Sequence, residues 1–370
     1  MKKIRILFII ATLCSIQAIA QNKIQVGVFQ GNGTSETCVW ETVSACHTDR
    51  SLETQIVTTK DLASGKLTTL DVLIIPGGGG SREYLNMGGE NHKRIKNFVK
   101  NGGGLIGICA GAYLTSNTPG YSCLKMSGGK AIDIEHDNRG RGVVKVTLND
   151  EGKKIFSEVA NRDTLYLMYY EGPVIVPEES SPYLYTSLAT MQSDVHVEGN
   201  APSNMTNNRP FFYLTSYEKG KVFSVVGHPE ATPGMQWMIA KMVHTVVAPE
   251  KNHPAMIASK WINPTLFEKE ILMTAERRKT ENELFKTLLY GDSKSKTEAI
   301  QWIEEVLSWD GKRWLQGLLF DSDKAVRLQA TLTIRKNMYR YYLSDLKIAY
   351  QNEKDEKVRS EMLKAIDRLK

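Results

Sequence analysis

Cys109, His228 and Glu230 are the residues whose types and settings could do chemistry. Cys109 is the centre of Gly107-Ile-Cys-Ala-Gly-Ala112, which follows the apolar run Gly104-Leu-Ile-Gly-Ile108 and opens a segment with helical character. Strand, sharp turn and helix with a reactive residue at the apex make a nucleophile elbow, here with Cys in the place of Ser. The flanking glycines follow from the strained apex, because a Cβ on either side would crowd the turn. A helix N-terminus under Cys109 favours the thiolate, the reactive form of the side chain. His228 and Glu230 stand in Gly227-His-Pro-Glu230, after the strand-like Val222-Phe-Ser-Val-Val226. A His two residues before a Glu, in a turn held by Pro, can act as base and orienter for a distant thiol. In Asp71-Val-Leu-Ile-Ile-Pro-Gly-Gly-Gly-Gly80 a buried strand runs into a glycine loop.

Elbow first and His-Pro-Glu last is the arrangement of class I glutamine amidotransferases, and the chain resembles that superfamily. The segments Pro76-Gly-Gly-Gly79, Glu90-Asn-His-Lys-Arg-Ile-Lys-Asn-Phe-Val99, Gly103 to Tyr113 and Tyr169-Tyr-Glu-Gly-Pro173 narrow it. They resemble the amidotransferase-like N-terminal domain of eukaryotic-type biotin–protein ligases, over roughly residues 24 to 247. Nothing resembles the biotin ligase catalytic domain, so biotinylation is not implied. The resemblance implies a flavodoxin-like α/β fold. It also implies that N–H groups of Gly77, Gly78 and Gly79, with Ala110, hold a developing oxyanion. Glutamine-using relatives continue the elbow as Cys-x-Gly-x-Gln, and that Gln shapes the substrate pocket. Here Tyr113 takes its place, and no synthase domain follows to receive ammonia. The expected reaction is therefore hydrolysis or transfer on another amide, ester or thioester, with a small-molecule or peptide-like substrate and no cofactor. Two other readings stay open: a non-enzymatic binding protein on the same scaffold, and a redox sensor that needs only an exposed, activated Cys109.

The elements that must position these residues alternate. Lys23 to Phe29 is a strand, and Thr34 or Ser35 caps a helix reaching about Cys46. Thr54 to Thr58 and Asp71 to Ile75 are strands, and Glu90 to Lys100 is a helix with Ile95, Phe98 and Val99 inward. This rhythm predicts a parallel sheet covered on both faces, with the elbow at the carboxyl end of a central strand. Residues 120 to 220 are rich in Gly, Asn, Ser and Pro and carry short strand signals, which predicts a largely antiparallel β-rich insertion near the site. A helix over Gly234 to Val246 closes this domain, taken as residues 21–249.

Beyond Pro249 amphipathic helical spacing takes over. Asp323-Lys-Ala-Val-Arg327 recurs as Asp355-Glu-Lys-Val-Arg359, and Asp292 to Ile300 reads as a degenerate earlier copy. The pattern predicts an all-α, HEAT-like repeat domain over 250–370 that could present a surface to a protein partner. A plain helical bundle is the alternative.

The 370 residues carry a formal net charge of +6. Lys2, Lys3 and Arg5, the apolar stretch to Ile16 and Ala18-Ile-Ala20 read as a signal peptide over 1–20, which predicts an exported protein. Its removal lowers the charge from +6 to +3, too little to suggest nucleic acid as a partner. No later segment is long and apolar enough to anchor the chain in a bilayer. Cys38, Cys46, Cys109 and Cys123 remain after cleavage. Cys38 and Cys46 on one helix would lie ~12 Å apart, too far to bond. A bridge from either to Cys123, or free buried cysteines, are the two expectations. The fingerprint-like Gly102-x-Gly104-x-x-Gly107 precedes a strand instead of joining strand to helix, so dinucleotide binding is rejected. Glu135-His-Asp137 reads as a polar loop, and no metal is expected. His136 and Tyr170 are candidates for the edge of the site, and Trp237, Trp302 and Trp314 for the core.

Overall fold

The computed structural model describes residues 23–136, 138–197 and 199–370. The expected signal peptide, residues 1–20, lies outside the described residues, as does Asp137. The strands are β1 (Ile24–Gln30), β2 (Leu52–Thr58), β3 (Val72–Ile75), β4 (Gly104–Ile108), β5 (Gly129–Ala131), β6 (Arg141–Leu148), β7 (Leu165–Tyr170), β8 (Ile175–Pro177), β9 (Tyr185–Met191), β10 (Arg209–Tyr217), β11 (Gly220–Val225) and β12 (Ile271–Leu272). One ten-stranded sheet runs β12-β6-β9-β10-β11-β4-β3-β1-β2, with β7 also paired to β6. From β2 through β1, β3 and β4 to β11 every pairing is parallel. From β11 outward through β10, β9 and β6 every pairing is antiparallel. The β-rich insertion thus extends the parallel sheet itself, and among the described residues only β5 and β8 form a separate ladder.

The continuous aliphatics of β3 and β4 are explained by burial on both faces. Side chains alternate along β3. Val72 and Ile74 enter one core with Val39 and Val43 of the helix Glu36–Cys46 and with Met238 and Val243 of the helix Met238–Val246. Leu73 and Ile75 enter the opposite core with Ile95 and Val99 of the helix Gly89–Lys100. The helix expected from Gly234 begins at Met238, because Gly234 itself has φ +75° and stands in a turn. Cys38, Cys46, Cys109 and Cys123, the cysteines among the described residues, are free and buried, so neither bridge to Cys123 is formed.

After residue 249 the chain adds β12 to the edge of the sheet against β6, a strand that the sequence did not signal. The helices Ala275–Tyr290, Ser293–Glu305, Trp309–Lys312, Leu315–Leu318, Lys324–Lys336, Leu343–Asn352 and Glu356–Leu369 follow. The recurring Asp has a local reason. Asp292, Asp323 and Asp355 are N-caps, each accepting a backbone N–H of the turn it starts. Val326, Ala330 and Ile334 of one helix and Val358, Met362 and Ala365 of another are buried in the same apolar cluster as the sheet's first face. Trp237 is fully buried in that cluster, and Trp302 and Trp314, partly buried, pack against the cluster. No helix among the described residues is long and apolar enough to cross a membrane.

Candidate active site

Three adjacent parallel strands deliver the motif residues to one place. β4 ends at Cys109, its neighbour β3 runs into the glycine loop, and β11 on the other side leads to His228. Cys109 has φ 50° and ψ −103°, a strained conformation for a residue with a Cβ. Its N–H donates to Val225 O at 2.9 Å, which ties the apex to β11. The flanking glycines are required. A methyl at Gly107 would collide with the Gly111 carbonyl, and one at Gly111 with the Ile75 carbonyl.

His228 is set by its backbone as well. Its N–H donates to Met168 O at 2.8 Å, and the Thr232 hydroxyl donates to its carbonyl at 2.8 Å. Nδ1 lies 2.7 Å from Glu230 Oε1, so that nitrogen carries the proton and the other is left for the thiol. The Cys109 thiol donates to the Tyr170 carbonyl oxygen at 3.5 Å and also interacts with the His228 side chain. A methyl at Gly77 would lie 2.9 Å from His228 Cε1, 3.0 Å from Cys38 Sγ and 3.6 Å from Cys109 Cβ, so only glycine fits there. Burial opposes charge on His228. Hydrogen bonds and negative charge from Cys109 and Glu230 prevail and raise its pKa to about 10.

The glycine loop is arranged differently from expectation at one position. Gly79 N–H donates to Gly33 O at 2.8 Å and is not available to an oxyanion, although Gly79 lines the cleft. The Gly77, Gly78 and Ala110 N–H groups make no hydrogen bond among the described residues. Beneath the loop the carboxyl of Glu83 is fully buried, neither oxygen has a partner among the described residues, and burial raises its pKa to about 8.

Tyr113 lines the cleft with its ring, but its hydroxyl is bound to Asp133 and accepts from Arg139 Nη2 at 3.0 Å. Asp133 and Arg139 are a fully buried ion pair. Arg139 also donates to Tyr169 Oη at 2.8 Å and to the Gly172 carbonyl, and Asp133 accepts from Val174 N–H at 3.0 Å. One buried pair thus fixes both the residue four places after the nucleophile and the turn that presents the Tyr170 carbonyl to it.

The opposite wall of the cleft, about 490 Å³ in volume, comes from beyond residue 249. Trp309, Asp310 and Arg313 line it, and the Trp309 ring stands edge-on to His228 with centroids 4.3 Å apart. Arg141 of β6 anchors this wall. It pairs with Glu281, reaches Asp310 Oδ2 at 3.0 Å, and donates to Tyr170 Oη at 3.0 Å. Lys312, buried, pairs with the equally buried Glu41 on the helix Glu36–Cys46. No spacing in the sequence pointed to Trp309, Lys312 or Glu41. Tyr170 lines the cleft as expected, whereas His136 does not and bonds instead to Asn200 O at 2.9 Å.

Residues 24–128 match the family model of the biotin-protein ligase N-terminal domain. The match covers the glycine loop and the elbow and ends short of Tyr169–Pro173 and His228. No curated protein matches the chain. Among solved structures, a cytoplasmic protein from Salmonella typhimurium shares 14% identity over 61% of this chain and 99% of its own, with a TM-score of 0.40. A thua-like protein from Parabacteroides merdae shares 10% over 65% and 99%, with a TM-score of 0.42. A β-galactosidase from Bacillus circulans shares 14% over 70% of this chain and 34% of its own, with a TM-score of 0.38.

Proposed function

We propose that the cleft is the active site of a cysteine-dependent amidohydrolase or acyltransferase acting on an amide or ester other than free glutamine. The observation that carries this reading is the line from a strained Cys109 to His228, whose Nδ1 is tied to Glu230 at 2.7 Å. The Cys109 thiol passes its proton to His228, and its sulfur attacks the carbonyl carbon. The free N–H groups of Gly77, Gly78 and Ala110 take the negative charge that forms on the oxygen. His228 gives its proton to the leaving nitrogen or oxygen as the tetrahedral carbon collapses to a thioester. Water, or an acceptor amine or alcohol, then attacks the thioester and passes its proton to His228, and the carbon–sulfur bond breaks to return the Cys109 thiolate. Glutamine is disfavoured because a bulky phenol stands where glutamine-using relatives carry an amide, and its hydroxyl is engaged by Asp133 and Arg139. In this proposal residues 1–20 direct export, and HEAT-like repeats beyond 249 complete the cleft and present a surface to a partner.

The test is the rate of Cys109 alkylation against pH, read by peptide mapping so that Cys38 is resolved from it. Replacing His228 by Ala should slow the reaction near neutral pH by at least about tenfold, since the imidazole no longer supports the thiolate. Equal rates in the two proteins would leave the fold as a binding scaffold without turnover.

A further inference from the structure

A second thiol stands beside the triad, and the reaction above gives it no task. Cys38, in the first turn of the helix Glu36–Cys46, is 4% exposed and lines the cleft. Its sulfur, a ring nitrogen of His228 and a carboxylate oxygen of Glu230 all lie within 4.8 Å of one another. Glu230 is buried, and its Oε2 has no partner among the described residues. Thiolate, imidazole and carboxylate together suit zinc and similar borderline-soft cations.

We propose that Cys38, His228 and Glu230 form a binding site for zinc or a similar thiophilic divalent cation, which switches the Cys109 nucleophile off. The switching rests on the reading that His228 serves Cys109. On binding, the Cys38 S–H bond and one His228 N–H bond break, sulfur–metal and nitrogen–metal bonds form, and both protons leave to solvent. The metal keeps its oxidation state. An imidazole that holds the metal through one nitrogen keeps its single proton on the other, so His228 no longer takes a proton from Cys109. Three protein ligands leave the fourth tetrahedral position to water or to Cys109 itself.

The experiment uses chelator-treated full-length protein, with cobalt as the spectroscopic probe and zinc as competitor. One equivalent of cobalt should give a sulfur-to-cobalt charge-transfer band with visible bands of tetrahedral intensity, and zinc should displace it. The charge-transfer band should persist in Cys109→Ala and vanish in Cys38→Ala. Cys38→Ser, checked for native circular dichroism, guards against loss through misfolding. Removing this ligand should weaken zinc binding by about a hundredfold or more, beyond the effect of losing an outer-shell partner. Zinc should slow Cys109 alkylation in the wild type and not in Cys38→Ser. No band, or one lost in Cys109→Ala and kept in Cys38→Ala, would overturn the site. Alkylation of metal-free protein against pH reads the Cys109–His228 pair alone, so its failure is told apart from failure of the metal site.

Discussion

The two walls of the cleft are held by different means. The wall of Cys109, the glycine loop and His228 is fixed by main chain: a strained apex, glycines that admit no Cβ, and backbone bonds across three parallel strands. The wall of Trp309, Asp310 and Arg313 is fixed by side chains. Arg141 grips Glu281 and Asp310, and Lys312 reaches across to Glu41. Main-chain devices leave short local signatures in a sequence. Side-chain anchors between residues 271 positions apart, as Glu41 and Lys312 are, leave none.

The sharpest way to break this comparison is to remove a side-chain anchor. Lys312→Met leaves Glu41 buried without its cation, and breaking a buried pair from one side costs about 3–5 kcal/mol. Urea unfolding should show that loss. The double variant with Glu41→Leu should recover most of it, since it removes the stranded charge too. The folded-state pKa of Glu41 is already raised, chiefly by burial, so protonation should soften the single variant's loss as pH falls. A single variant that costs less than about 1 kcal/mol would mean that apolar packing, and not this pair, holds the wall.

The same division explains what was legible in the sequence. The elbow, the His-Pro-Glu turn and the buried strand before the glycine loop could be read because each is one short segment obeying a local rule. The Asp that recurs could be read only as part of a repeat, and its role as a cap came with the helices it starts. The engagement of the Gly79 N–H by Gly33 could not, because a glycine run does not say which N–H groups a neighbouring loop will take. Nor could the position of Cys38: the helix was predicted, but its approach to His228 is set by how that helix packs on the sheet. The insertion was recognised as antiparallel, yet its continuation of the main sheet depends on β11 pairing with both β10 and β4.

Glu83 tests whether main chain alone holds the first wall. A methyl at Gly78 would collide with its carboxyl, so charge on Glu83 would act on the loop directly. Its pKa is raised from 4.5 to about 8 by burial. Below pH 4.5 the group is neutral in both folded and unfolded chains and has no effect on pH dependence. Between 4.5 and 8 the unfolded chain ionises and the folded one does not, so stability falls across that window and stays lower above it. The loss should reach ~2–4 kcal/mol, at most about 1.4 kcal/mol per pH unit. Glu83→Gln should flatten this slope in urea unfolding at pH 5 and pH 8.5. An unchanged slope would assign the pH dependence to other groups and leave the loop to its backbone.

The smallest effect tests the coupling between the walls. Ser308 is buried and caps the helix Trp309–Lys312, accepting from Gly311 N–H at 2.8 Å and donating to Glu281, which Arg141 holds from the other side. Ser308→Ala removes both bonds and should cost about 1–2 kcal/mol, the range for losing such a cap, with Ser308→Thr restoring most of it. The consequence for the cleft is directional. The elbow has its own backbone anchors, so alkylation of Cys109 by a small reagent should hardly change. Trp309, released from a well-capped turn, should yield to a bulkier reagent, so the ratio of bulky to small alkylation rates should rise. A lower stability with an unchanged ratio would mean that the cap supports the helix but not the position of Trp309 against His228. The second wall would then owe its place to Lys312 and Arg141, with Ser308 only stiffening the turn between them.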